Sequence, residues 1–169
     1  MGLIMLQILG TTGASEVVVV DAIDFRLEFA KRFGASAVVN VMREKPVERI
    51  LQLFPSGADV VVEATGNPLA FQSACDVVKE GGALIVISIF SGKAKELDLS
   101  FLYNKEPIIY GSKGAQDGFP EALQLLKEKR LKTTPMITHR FPLEETEKAF
   151  QTFEDTGSQA LRVLIEPTV

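Results

Sequence analysis

The sequence predicts an α/β fold with a doubly wound, parallel sheet. Short apolar runs rich in Val and Ile, such as residues 16–21 and 83–89, alternate with amphipathic segments of helical length. These runs are apolar nearly throughout, which is typical of strands that helices cover on both faces. A chain of 169 residues, 46% of them apolar, is long enough to bury the core of such a fold.

The predicted elements follow one another in βα order as far as residue 112. The expected strands are 16–21, 37–40, 59–64, 83–89 and 107–112, and the expected helices are 2–9, 24–33, 46–54 and 68–79. In the second helix, Leu27, Ala30 and Phe33 fall on one face, which predicts the side that packs on the sheet. Prolines stand in the first turn of the two helices that follow, where they are well tolerated.

The pattern changes near residue 117, where we place a domain boundary. Helices over 117–129 and 143–155 and a last strand over 161–166 no longer form simple βα repeats. The expected organisation is therefore a wound domain of residues 1–116 and a C-terminal segment of residues 117–169.

Composition excludes several classes of protein. With 18 basic and 22 acidic residues and a net charge of −4, the chain lacks the excess of positive charge that is typical of proteins that bind nucleic acid or anionic lipid. No apolar run reaches the roughly 18 residues of a membrane span. The lone Cys75 cannot form an internal disulfide and is typical of a reducing compartment, so we expect a cytoplasmic protein.

The first 21 residues carry the chemically most informative pattern. Gly2 begins an apolar helix, and Asp21 ends the next strand about 20 residues later, the spacing at which dinucleotide-binding βαβ units place a ribose-binding carboxylate. Asp21 could instead cap the helix that follows it, with Asp24 competing for that role. The spacing alone leaves both interpretations open.

Several longer stretches match one known family in order. They are MGLIMLQILG, GASEVVVVDAIDFRLEFAKRFGA, DVVVEATGNP, EGGALIVISIF, YGSKGAQDGFPEALQLL and ITHRFPLEETEKAF. Together they resemble the zinc-containing medium-chain alcohol and polyol dehydrogenases, including sorbitol and threonine dehydrogenases. The resemblance covers essentially the whole chain and implies a Rossmann-like domain that binds NAD.

The resemblance also implies nine cofactor-binding residues. They are Gly2 as the third glycine of GxGxxG, Asp21 at the adenosine ribose, Arg26 at the adenine end, Arg162 at the pyrophosphate, Ala64, Thr65 and Gly66 lining the cleft, and Ile89 and Phe90 beside the nicotinamide. Glu63 ends the strand before this cleft. It is either a hydrogen-bond acceptor for the cofactor or a solvated strand end.

This sequence departs from the family pattern at its start. The catalytic domain with the zinc ligands, the first strand and the first two glycines of the motif do not appear in it, so we expect a truncated, cofactor-binding half. In the strand order 3-2-1-4-5-6, the first strand lies between the strands that end at Asp21 and begin at Asp59. We expect these two strands to pair directly, another segment to fill the position, or the chain to be only marginally stable.

Other polar residues predict no further chemistry. The chain has one histidine, His139, and one cysteine, Cys75, which is too few for a catalytic zinc site, so zinc is expected only in a complete family enzyme. Ser88 and Ser91 lack a GxSxG context and a base, which argues against a hydrolase. We assign no catalytic residue and expect no turnover by this chain alone.

The sequence therefore favours the cofactor-binding portion of an NAD-dependent alcohol or polyol dehydrogenase. Two alternatives stay open: a non-catalytic nucleotide-binding or interaction module, and an S-adenosylmethionine methyltransferase, which also ends its second strand in an acid. The family resemblance further implies a homo-oligomer in which two copies pair through the edge strand 107–112.

Overall fold

The computed structural model describes residues 1–90, 96–114 and 118–167. It has the α/β organisation that the sequence predicts. The helices are Gly2–Thr11 (α1), Asp24–Arg32 (α2), Pro46–Leu53 (α3), Pro68–Val77 (α4), Ser100–Lys105 (α5), Phe119–Lys127 (α6) and Thr146–Glu154 (α7). The strands are Val18–Asp21 (β1), Ala37–Asn40 (β2), Ala58–Glu63 (β3), Val78–Val86 (β4), Ile108–Gly111 (β5), Ile137–Pro142 (β6) and Arg162–Glu166 (β7). Three short 3-10 helices occupy Thr134–Met136, Leu143–Glu145 and Thr156–Ser158.

Most predicted elements are confirmed, with ends displaced by a residue or two. The largest displacement is at β4, which begins at Val78 rather than at residue 83 because Val78 pairs with Ala58 at the start of β3. The register then shifts before Val60 pairs with Ala83, so residues 79–82 form an irregularity inside the strand. Helix α5 was not predicted. It buries Phe101 against Cys75 and Leu84, which also line the core below β4.

The strands form three parallel sheets instead of one. The first is β1–β2, the second has the order β3–β4–β5, and the third is β6–β7. The order within each sheet agrees with the predicted winding, and β5 lies at an edge as expected. Within the described residues, β1 and β3 do not pair with each other and no other strand lies between them. Direct pairing, one of the three expected outcomes, is therefore wrong, and no strand of the described residues fills the position between β1 and β3.

Helix α1 joins the first sheet to the C-terminal segment. Leu3 and Leu6 pack with Phe29 of α2 and with Met136 in one buried cluster. The buried Gln7 strengthens this junction, since its side-chain oxygen accepts a hydrogen bond from the backbone N–H of Lys132 at 2.6 Å. The C-terminal segment thus packs on α1 of this chain, and the predicted boundary at residue 117 lies outside the described residues.

Much apolar surface is exposed, a large part of it in the C-terminal segment. Helices α6 and α7 expose Phe119, Phe150 and Phe153, the first of them by 69%. All four residues of β5 are exposed as well. In the three described ranges, no helix combines the length and apolar character needed to cross a membrane.

We expect low stability of the chain alone, because the facing edges of β1 and β3 each leave backbone groups unpaired. If β1 and β3 keep the positions that they would have around a first strand, they lie two strand spacings apart, about 9.6 Å, which is too wide for direct hydrogen bonds, and each buried unpaired group costs about 1–3 kcal/mol. A peptide that carries a β-strand followed by GxG should raise the melting temperature measured by circular dichroism.

A scrambled peptide of the same composition serves as the control. A cooperative, high-melting monomer with slow hydrogen exchange over 17–20 and 60–62, without any added peptide, would contradict this expectation.

Candidate cofactor-binding site

The predicted site residues lie where three parallel strands end. Strand β1 ends at Asp21, β3 at Glu63 and β4 at Val86, and helix α1 begins at Gly2. In open parallel sheets, ligands bind outside these carboxyl ends, where the helix N-termini also point. The candidate residues form two groups, one around the start of α1 and one after β3 and β4.

The first group surrounds the N-terminus of α1. Burial lowers the pKa of the Met1 amino group; the positive charges of Arg162 and Arg26 lower it further, whereas Asp21 raises it. All three side chains therefore lie within electrostatic range of the residue before Gly2. Helix α1 has no side-chain cap and no acidic residue in its first turn, so its first backbone N–H groups lack side-chain acceptors. The structure thus brings Arg162, from the other end of the chain, into the region of Gly2, Asp21 and Arg26.

Asp21 is not a helix cap. One of its carboxylate oxygens accepts a hydrogen bond from the backbone N–H of Ile23 at 3.0 Å, in a turn before α2. The other lies 3.7 Å from the Arg26 guanidinium. Ile23 occupies the cap position of α2 without a side-chain hydrogen bond, and Asp24 instead accepts from the Asn40 amide at 2.7 Å. The capping interpretation is therefore wrong for both Asp21 and Asp24.

The second group joins the turn after β3 to the segment after β4. Gly66 has a φ of +72°, and a Cβ atom built there would lie 2.2 Å from the Ile89 carbonyl oxygen. Only glycine suits this close approach of two backbones. The Ile89 side chain is 95% exposed, while Phe90 packs edge-on against Phe71 of α4 with ring centroids 5.6 Å apart. Residues 64–66 and 89–90 hence form one continuous surface beside the strand ends.

Glu63 lies at the end of β3, next to this surface. Its side chain is buried, with the residue only 3% exposed, so the solvated strand end is wrong. Its carboxylate accepts hydrogen bonds from Thr65, Gly66 and Ser88. Burial acts to raise the pKa of this carboxyl, but the hydrogen bonds from Ser88, Thr65 and Gly66 outweigh burial and lower the pKa.

Sequence reasoning missed the Ser88 partner. A short-range signal existed for the other bonds, because Thr and Gly follow Glu63 at the second and third positions, where a carboxylate can accept from their backbone N–H groups. No pattern in the sequence links Glu63 to Ser88 in the segment after β4. Ser91 lies outside the described residues.

The remaining candidate groups have structural surroundings. Cys75 is fully buried, and burial raises the pKa of its thiol to about 11, which keeps it protonated and unreactive. The ring of His139 contacts the Thr138 hydroxyl at 3.1 Å and stacks on Phe141. Over residues 1–90, 96–114 and 118–167, no three His, Cys, Asp or Glu side chains gather as a metal site.

Residues 1–128 match the family model described as zinc-binding dehydrogenase. The chain belongs to this family. Sorbitol dehydrogenase of Bacillus subtilis is 30% identical over 156 residues, which are 92% of this chain and 44% of that relative. This membership confirms the resemblance inferred from the sequence and argues against the methyltransferase alternative.

Solved structures agree with the fold. The 2R,3R-butanediol dehydrogenase of Bacillus subtilis superposes with a TM-score of 0.88 at 25% identity, over 99% of this chain and 48% of that one. A short chain alcohol dehydrogenase of Escherichia coli CFT073, described as complexed with NADH, superposes with a TM-score of 0.87 at 25% identity, over 97% of this chain and 48% of that one. The chain thus spans less than half the length of the proteins it matches.

The contact between Gly66 and Ile89 generates a stability prediction. The substitution Gly66→Ala forces an L residue into a left-handed conformation and a methyl group into a backbone oxygen, so we expect it to lower the free energy of unfolding by at least about 1–3 kcal/mol. Urea denaturation measures the change.

Gly10→Ala is the matched control. Gly10 lies in α1, and an added Cβ there meets nothing within 4 Å. This variant should be neutral or stabilising by roughly 0.5–1 kcal/mol, because glycine is a poor helix former. Equal effects of the two substitutions would disprove the steric interpretation of Gly66.

Proposed function

We propose that residues 1–116 are the NAD-binding, Rossmann-like portion of a zinc-type alcohol or polyol dehydrogenase. The observation that carries this proposal is the position of Asp21 at the carboxyl end of β1, 3.7 Å from Arg26, and the charges of Asp21, Arg26 and Arg162 all act on the amino group at the start of α1. In this proposal the complete enzyme transfers hydride between an alcohol and NAD, and residues 117–169 form the C-terminal segment that in this family packs back on the catalytic domain. We further propose a cytoplasmic protein, consistent with its reduced, buried Cys75.

The start of α1 suits the pyrophosphate of a dinucleotide. The helix N-terminus presents uncapped N–H groups and the positive end of the helix dipole. Arg162 is exposed and adds a guanidinium group, which can bind phosphate oxygens in a bidentate manner, while the exposed Arg26 is assigned to the adenine end. In this arrangement the chain supplies positive charge from three elements, α1, α2 and β7.

Asp21 suits the adenosine ribose. Its side chain is 28% exposed, and its contact with Arg26, at 3.7 Å, is longer than a hydrogen bond. This carboxylate oxygen can accept hydrogen bonds from ribose hydroxyls without breaking the turn that Asp21 makes with Ile23. A 2′-phosphate at the same place would meet a like charge, which predicts a preference for NAD over NADP.

The nicotinamide end is assigned to the surface formed by residues 64–66 and 89–90. The exposed Ile89 side chain provides an apolar face for a planar ring, and Phe71 supports Phe90 from below. NAD, when bound there, supplies the carbon that accepts the hydride. The described NADH complex of a structural neighbour supports a nicotinamide cofactor in proteins of this fold.

The described residues do not fit a zinc site, so no step of the reaction is assigned to a metal held by this chain. The proposal limits the chain to binding and orienting the cofactor. A non-catalytic nucleotide-binding module would have the same binding properties, and only turnover by the complete protein distinguishes the two.

We also propose that two copies pair through β5. This strand lies at the edge of the second sheet, and its Ile108, Ile109 and Tyr110 are all exposed. An exposed apolar edge strand is a template for pairing with another strand.

Light scattering at micromolar concentrations should report a dimer, and Ile109→Pro should yield monomers, because proline removes a backbone donor. A wild-type chain that stays monomeric at these concentrations would disprove this interface.

Cofactor preference tests the central proposal. Fluorescence titration should show tighter binding of NADH than of NADPH, and Asp21→Ala should narrow the difference by removing the charge that repels the 2′-phosphate. Glu121→Ala, at an exposed carboxylate on α6, should leave the ratio unchanged. Equal or tighter binding of NADPH than of NADH by the wild-type chain would disprove the assignment of Asp21 to the adenosine ribose.

A further inference from the structure

We propose that Glu63 is a positioning residue whose buried carboxylate holds the turn 64–66 against the end of β4 and so shapes the nicotinamide side of the cleft. This inference rests on the proposed function. It adds a role for a side chain that accepts hydrogen bonds from two segments of the protein.

The hydrogen bonds divide between the two carboxylate oxygens. Oε1 accepts from the Thr65 backbone N–H at 2.7 Å, the Thr65 hydroxyl at 2.5 Å and the Gly66 N–H at 3.1 Å. Oε2 accepts from the Ser88 hydroxyl and, at 3.3 Å, from the Gly66 N–H. Oε1 therefore binds the turn after β3, and Oε2 connects this turn to the segment after β4.

The connection continues into helix α4. Because the Thr65 hydroxyl donates its only proton to Glu63, its oxygen is free to accept from the Asn67 N–H at 3.0 Å. The Asn67 side chain in turn caps α4 by accepting from the Leu69 N–H at 2.8 Å. The carboxylate thus sets the direction of a chain of hydrogen bonds that runs from the end of β3 to the first turn of α4.

This clamp acts at the place where two backbones meet. Ser88 directly precedes Ile89, whose carbonyl oxygen lies against Gly66. Gly66 is itself buried, so loss of the carboxylate would leave its N–H without an acceptor and release the turn from β4. The exposed surface of Ile89 would then lose its fixed position relative to residues 64–66.

The geometry predicts a specific ranking of variants. In Glu63→Gln the amide oxygen can replace Oε1 and keep all three bonds to the turn, while the amide NH₂ can donate to Ser88, whose hydroxyl can rotate to accept. In Glu63→Asp the side chain is one methylene too short to reach both segments. In Glu63→Ala all of these bonds are lost. Glutamine should therefore rescue the position, and aspartate should not.

The test combines NADH titration with amide NMR on the full chain. We expect Glu63→Ala and Glu63→Asp to weaken NADH binding about tenfold or more, and Glu63→Gln to stay within about threefold of the wild type. The amides of Thr65 and Gly66 should exchange rapidly with solvent in the alanine variant and slowly in the glutamine variant. Asp59→Asn, an exposed carboxylate on the same strand, is the matched control and should change neither quantity.

The two readouts separate this inference from the proposed function. If the wild type fails to bind NADH, the proposed function is wrong. The role of Glu63 is then tested only by comparing the exchange rate of the Gly66 amide in the wild type and in Glu63→Ala. Unchanged NADH binding and unchanged exchange in Glu63→Ala would overturn the inference, as would equal losses in the alanine and glutamine variants. If Glu63→Ala fails to fold, Ser88→Ala serves in its place, because it removes only the hydrogen bond from Glu63 to the segment after β4. This variant should weaken NADH binding by a few fold. Unchanged NADH binding in Ser88→Ala would also overturn the inference.

Discussion

The site depends on the parallel pairing of strands joined by helical crossovers. In β1–β2 and in β3–β4–β5, every strand runs in the same direction, so carboxyl ends and helix N-termini gather at one edge of the fold. Residues that are distant in sequence, such as Asp21 and Glu63, reach this edge because each ends a strand. The chemistry of the site follows from which side chains occupy these ends.

The two sheets are supported by separate apolar clusters. Leu3, Leu6, Phe29, Ala30 and Met136 pack beside the first sheet, and Ala74, Cys75, Leu84 and Phe101 pack beside the second. Since β1 and β3 are not paired in the described residues, the backbone ladder does not join these two halves. Hydrogen bonds and packing contacts between elements near the strand ends therefore contribute a larger share of the stability here than they would in a fold with one continuous sheet.

Polar interactions contribute unequally to this arrangement. Ion pairs such as those of Arg43 with Asp24 and Lys148 with Glu145 lie on the surface, where each contributes about 0–1 kcal/mol. Glu63 differs because it is buried and its carboxylate accepts bonds from two segments. A buried acceptor with several donors is costly to remove, since each donor left unpaired remains shielded from water. This contrast is why a single internal carboxylate can shape the cleft.

The sequence by itself determined the α/β class, the parallel strands and nearly every element, because apolar runs and helical periodicity are local properties. It also identified the charged residues at α1 through spacing and family resemblance. Tertiary structure alone decided that β1 and β3 stay unpaired, that Asp21 and Asp24 do not cap α2, and that Glu63 bonds to Ser88. These outcomes depend on distances between segments far apart in the chain, which no local pattern encodes.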